Sequence, residues 1–90
     1  MKFPASVVFK DDPAATATLI EIAAADRPGL LHDLTLAFSE AGCNIELVLV
    51  NTEAHKALDV FYVTHQGAKL TQELQASLKS ALLSVCGTPK

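Results

Sequence analysis

The chain has 90 residues and a formal net charge of −3; half of its residues are hydrophobic and none is tryptophan. That length supports one domain, and the acidic balance argues against nucleic acid or an anionic membrane surface as partner. No apolar run approaches the ~18 residues of a membrane span, and Met1-Lys2-Phe3-Pro4 offers no apolar signal-peptide core.

Ser6 to Lys10 reads as a short strand, and Asp11-Asp12-Pro13-Ala14-Ala15 as a turn. Thr16 to Ala24, with Leu19, Ile20 and Ile22, reads as a second strand. From Pro28 to Ala41 the chain is helical: Leu30, Leu31, Leu34, Ala37, Phe38 and Ala41 share one face, and Gly42 stops the helix. Asn44 to Thr52 and Lys56 to Thr64 are strands joined by a turn at Glu53-Ala54-His55. Thr71 caps a last helix that buries Leu74, Leu78, Ala81, Leu82 and Val85, and Gly87 and Pro89 end it.

The order ββαββα contains five elements of the ferredoxin-like β-α-β-β-α-β unit. The final strand of that unit is missing. A strand joined by a hairpin to the first has the same direction and can take its place. The expected fold class is therefore α+β, a ferredoxin-like open-faced sandwich. It is a four-stranded antiparallel sheet with two helices on one face, Ser6–Lys10 replacing the final strand. One domain covers residues 1–90, with a core over about 16–86.

Two helices cover only one face of such a sheet. Ile20, Ile22, Val48, Val50, Phe61 and Val63 are expected to face them. The other face then carries Leu19, Glu21, Ala23, Leu47, Leu49, Asn51, Leu58, Val60 and Tyr62, all apolar but Glu21 and Asn51. A bulge near Glu46 could change this assignment. So apolar a face, or the edge strand beside it, calls for self-association.

The seam between the second strand and the first helix, Asp26-Arg27-Pro28-Gly29-Leu30-Leu31, carries the candidate chemistry. Pro28 fits the first helical turn, where no donor is lost. Gly29 lets a small molecule approach the backbone. The amides near Gly29, Leu30 and Leu31 lack helical partners and favour an anion. Asp26 beside them accepts from an ammonium, and an α-amino acid carries both charges on neighbouring atoms. The competing reading is that Asp26 only caps the helix.

No catalytic set emerges. His32, His55 and His65 fall on different elements and share no metal-ligand spacing, and no serine has a nucleophile-elbow pattern. Cys43 and Cys86 match no metal or redox spacing and read as buried or half-buried thiols of a reducing cytoplasm. Asp59 interrupts an apolar strand, where it either reaches a sheet surface or pairs with Lys56 or Arg27.

With Asp26-Arg27-Pro28-Gly29-Leu30-Leu31, then Phe38, Ala41-Gly42-Cys43-Asn44-Ile45 and Asp59-Val60-Phe61-Tyr62-Val63, the chain resembles an ACT domain from about Thr16 to Val85. It is most similar to the branch at the C-terminus of the bacterial PII uridylyltransferase, a glutamine-responsive nitrogen sensor. Leu49-Val50-Asn51-Thr52-Glu53 and Gly67-Ala68-Lys69-Leu70-Thr71 add to that likeness. The resemblance implies a regulatory domain that binds an amino acid at the strand-to-helix loop and at the start of the next strand. Here those positions are Asp26, Arg27, Pro28, Gly29, Leu30, Leu31 and Asn44. Many amino-acid-binding members carry asparagine where this chain has Asp26. No cofactor and no enzymatic activity are expected, and no nucleotidyltransferase or phosphohydrolase segment is present in these residues.

Topology adds a constraint. The helix runs the length of the sheet between Asp26 and Asn44, so within one chain the two lie at opposite ends. They meet one ligand only if Asn44 comes from a second subunit, as in a homodimer pairing the strands Asn44–Thr52. The same geometry separates Cys43 from Cys86 and disfavours an intrachain disulfide. The expected function is a cytoplasmic regulatory dimer that senses an amino acid, glutamine first, and acts on a protein partner not identified by the sequence. The alternative is a dimerisation module with a vestigial ligand site.

Overall fold

Alternating apolar residues make the strands, and two amphipathic stretches make the helices that cover one side of them. The computed structural model describes residues 5–87. Its elements are β1 (Ser6–Lys10), β2 (Thr18–Ala25), α1 (Leu30–Glu40), β3 (Cys43–Glu53), β4 (Lys56–His65) and α2 (Gln72–Gly87). The four strands form one antiparallel sheet in the order β1-β2-β4-β3. The chain is thus an open-faced α+β sandwich of ferredoxin-like type. Pro89, expected beyond the last helix, lies outside the described residues.

The register explains the core. Ile20 stands opposite Phe61, which stands opposite Val48; Thr18 and Ile45 both pair with Val63. Ile20, Phe61 and Val63 are fully buried beneath Leu34, Phe38, Leu78 and Leu82 of the helices. The Phe38 and Phe61 rings lie 4.9 Å apart between centroids, tilted by 42°, within the range where aromatic pairs add to area burial.

A bulge between Ile45 and Leu47 shifts the register of β3. Strict alternation would put Ile45 and Leu47 on the same face. The extra residue, Glu46, lets Ile45 and Val48 pack on the core while Leu47 turns to the open face. Glu46 is held there by the Thr64 hydroxyl, which donates to its Oε2 at 2.8 Å.

Four expectations need correction. Val50 lies on the helix side but is 54% exposed, because it sits in an edge strand that the two helices do not fully cover. Leu31 is exposed on the flank of α1, and Ala81 of α2 is exposed as well. The first helix starts at Leu30, not Pro28.

At the far end of the sheet, the Leu70 amide donates to the buried Thr18 hydroxyl at 3.0 Å, and the Gln75 amide group donates to the Leu70 carbonyl. The Thr71 hydroxyl caps α2 by accepting from the Leu74 amide at 3.2 Å. Removing the ring at the centre of this core, Phe61→Ala, should cost about 3–5 kcal/mol. Urea denaturation of the two proteins side by side measures it.

Candidate functional site

β2 ends at Ala25, and the chain must then leave the sheet and climb into the helix layer. It does so through a tight turn, Arg27-Pro28-Gly29-Leu30, closed by the Leu30 amide donating to the Arg27 carbonyl at 3.2 Å. Gly29 has φ 81° and ψ −1°, the third-residue conformation of a type II turn, with Pro28 at the position it favours. A side chain at Gly29 would be strained there whatever room it found.

Leu30 is therefore not an open donor: its amide closes the turn and its side chain is in the core. The first helical bond runs from the Asp33 amide to the Gly29 carbonyl. The amides of Gly29, Leu31 and His32 have no backbone partner. They form the open donor set at the positive end of α1.

Asp26 does not cap the helix, which has no side-chain cap at all. Its backbone amide donates to the His55 carbonyl at 2.8 Å, so the turn at residues 54–55 lies beside it. Its carboxylate is exposed and takes part in none of the three ion pairs among the described residues.

Arg27 is occupied within the chain. Its guanidinium donates to the Val85 carbonyl of α2 at 3.0 Å and to the Pro28 carbonyl at 3.2 Å, and it pairs with Asp33 at 3.0 Å. It ties the start of α1 to the end of α2, where a cation also meets the negative helix end. Pro28 is exposed and sets the backbone of the turn.

Asn44 is far away. It pairs with Thr64 at one end of β4, whereas Ala25 pairs with Lys56 at the other. The eight steps of β4 from Lys56 to Thr64 measure roughly 26 Å at about 3.3 Å each. Cys43 and Ile45 on either side of Asn44 pack on the core, so Asn44 projects from the open face. The two cysteines are free; burial pushes both thiols up, and at Cys86 nearby Arg27 acts against that and Asp59 with it.

Asp59 is the residue that the sequence reading misplaced. It is neither at a surface nor in an ion pair: it is 3% exposed, and its Oδ1 is buried without a hydrogen-bond partner. It registers with Ile22 and Val50 on the helix side of the sheet. The signal was available, since counting back by two from Val63 and Phe61 puts Asp59 on the core face. Burial pushes its carboxyl above the usual carboxylate range; the Asn51 amide opposes this and the charge of Asp26 adds to it.

Among the described residues no three His, Cys, Asp or Glu side chains are grouped to hold a metal ion, and no helix is long and apolar enough to cross a membrane.

The model of the ACT domain family matches residues 18–82. The chain is 38% identical over 88 residues to the bifunctional uridylyltransferase/uridylyl-removing enzyme of Azospirillum brasilense, which covers 96% of the chain and 9% of that enzyme. It is 48% identical over 68 residues to the same enzyme of Bradyrhizobium sp. (strain ORS 278), covering 73% and 7%. For that of Gluconobacter oxydans the figures are 40% over 83 residues, 90% and 9%. The chain thus spans less than a tenth of the length of these relatives. A crystal structure of an unknown protein from Galdieria sulphuraria superposes with a TM-score of 0.62 at 25% identity, over 74% of this chain and 39% of that one.

The raised carboxyl of Asp59 has a consequence for stability. The folded state holds the Asp59 proton more tightly than the unfolded chain does. Its stabilising effect is complete below the unfolded value of about 3.9 and is lost as pH rises through the folded value. Asp59→Asn should therefore melt above the wild type at pH 7, and the gap should close below about pH 4. Melting curves across that range check it.

Proposed function

The chain belongs to the ACT domain family, and from that membership we propose that it is a regulatory, non-catalytic module. It binds a small amino acid at the Arg27–Leu30 turn, and a second copy of the chain completes the site. The observation that carries this reading is the exposed turn itself. The amides of Gly29, Leu31 and His32 are open to a carboxylate, and the free Asp26 carboxylate beside them suits an ammonium.

The second copy is required because Asn44 lies at the other end of its own sheet. β3 is an edge strand of eleven residues. Leu47 is 50% exposed and Leu49 53%. Long apolar edges of this kind invite pairing. If two β3 strands pair antiparallel about Val48, Asn44 of one copy comes opposite Thr52 of the other. Thr52 pairs with Ala57, which pairs with Ala24, close to the end of β2 from which the turn departs. Asn44 then approaches the turn of the second copy from the open face of the joined sheet, around its rim. Leu31 supports the same contact. Asp33 faces α2 through Arg27, and Leu31 lies about 200° from it around the helix, on the other flank.

Two equivalent sites result. A ligand that prefers one dimer arrangement regulates whatever protein reads that arrangement. Glutamine is the first ligand to test, on the resemblance to the glutamine-responsive transferases, and the cytoplasm is the compartment that such a role implies. The apolar edge and open face also suit a second reading, a dimerisation module whose ligand site is vestigial.

A thermal-shift panel of the common amino acids separates the two. A ligand at 100 times its Kd stabilises by about 2.7 kcal/mol, or roughly 4–8 °C per kcal/mol in a domain of this size. One amino acid should give that shift, and Gly29→Val should abolish it while remaining folded. A flat response to the whole panel at millimolar levels leaves the dimerisation module.

A further inference from the structure

We propose that the open face of the sheet is a second interface, covered by the open face of another copy of this chain. Taken with the β3 edge pairing of the proposed function, on which the count rests, two edge-paired dimers stack into an assembly of four chains.

The register lays the open face out in rows. One row runs Val8, Glu21, Val60, Leu49 across the four strands, and the next runs Lys10, Leu19, Tyr62, Leu47. The charged members, Lys10 and Glu21, stand on β1 and β2 and pair with each other at 3.3 Å. On β4 and β3 both rows are apolar, with Val60 and Tyr62 half-buried and Leu47 and Leu49 exposed. The apolar ground therefore runs up to the β3 edge and stops there.

A stable interface keeps its apolar anchors at the centre and its polar groups at the rim. On one chain the exposed leucines stand at the margin instead. Edge pairing moves them. Antiparallel pairing about Val48 sets Leu47 of one copy opposite Leu49 of the other, so four leucines meet in the middle of the joined sheet and the Lys10–Glu21 pairs go to its two far ends. It does not bury them, because main-chain pairing lies in the plane of the sheet and side chains stand perpendicular to it. A further layer has to cover them, and sheets pack face to face at about 10 Å.

Area and charge both select a second copy. At about 4.8 Å between strands and about 3.3 Å per residue, one chain's face measures roughly 400 Å². Stable interfaces bury about 800 Å² on each side, which a joined pair reaches and a single face does not. Lys10 offsets Glu21, and Glu53 registers with Lys56. Glu46 is drawn away from Leu47 toward Thr64, near the end of β4. The middle of the face thus carries no net charge, and like meets like without repulsion. The contact is self-complementary, so it closes on itself and does not propagate. Both helices, and the Arg27–Leu30 turn that leads into α1, lie on the outer side and stay clear of it.

The test is the mass of the full chain in solution by sedimentation equilibrium, for wild type, Leu49→Lys and Val60→Lys. Leu49 is exposed, so its replacement disturbs no core contact; Val60 lies on β4, away from the edge. Circular dichroism checks that each variant is folded, and Leu49→Lys decides if Val60→Lys is not. Four copies in the wild type and two in the variants is the expected result. Two copies in all three proteins overturns the proposal and leaves the edge-paired dimer standing. Two copies in the wild type and one in the variants supports the stacked faces and removes the edge pairing. A wild type of one copy overturns both.

Discussion

The hydrogen bond from the Leu30 amide to the Arg27 carbonyl is the constraint from which the rest of the site follows. It forces the chain from sheet to helix in four residues and requires a positive φ at Gly29. That geometry aims the next amides, those of Leu31 and His32, away from the core. Arg27 then fixes the turn against the end of α2. For the proposed function, a helix start so anchored is already ordered, so little ordering remains to be done when a ligand arrives.

The proposed site is incomplete on one chain. The turn is exposed, with Asp26, Arg27, Pro28, Gly29 and Leu31 all at the surface. The antiparallel register holds Asn44 at the opposite end of the sheet, a separation that no loop movement removes while the strands stay paired. In the proposed dimer the bare edge of β3 supplies the remedy. Ligand binding and self-association are coupled in this account: each copy lends the other the residue that it cannot bring to its own turn.

Much of this was legible in the sequence. The strand Ser6–Lys10, the helix stop at Gly42, the cap at Thr71 and the pairing of Ile20 with the helices all follow from periodicity and turn chemistry. Pattern could not show how far the helices reach over the sheet, so Val50 reads as buried when it is not. It also treats the first helical amides alike, whereas the turn consumes that of Leu30 and frees its neighbours. Arg27 entered the candidate site through the resemblance alone, and its partners within the chain, Val85 and Asp33, depend on tertiary placement that pattern does not show. Asp59 was misread for a different reason. Chemistry argued for the surface while alternation argued for the core, and alternation was right.

The most direct test of the shared site is subunit complementation. Gly29→Val disables the turn and Asn44→Ala the partner contribution. The two variants are mixed, exchanged, and titrated with the amino acid at a concentration that neither binds alone. Random pairing in a two-fold dimer restores one intact site in each mixed pair, about a quarter of the wild-type sites, and the account predicts that recovery. A mixture that binds no better than its parents, or a wild-type chain that binds fully while sedimenting as a monomer, would contradict it.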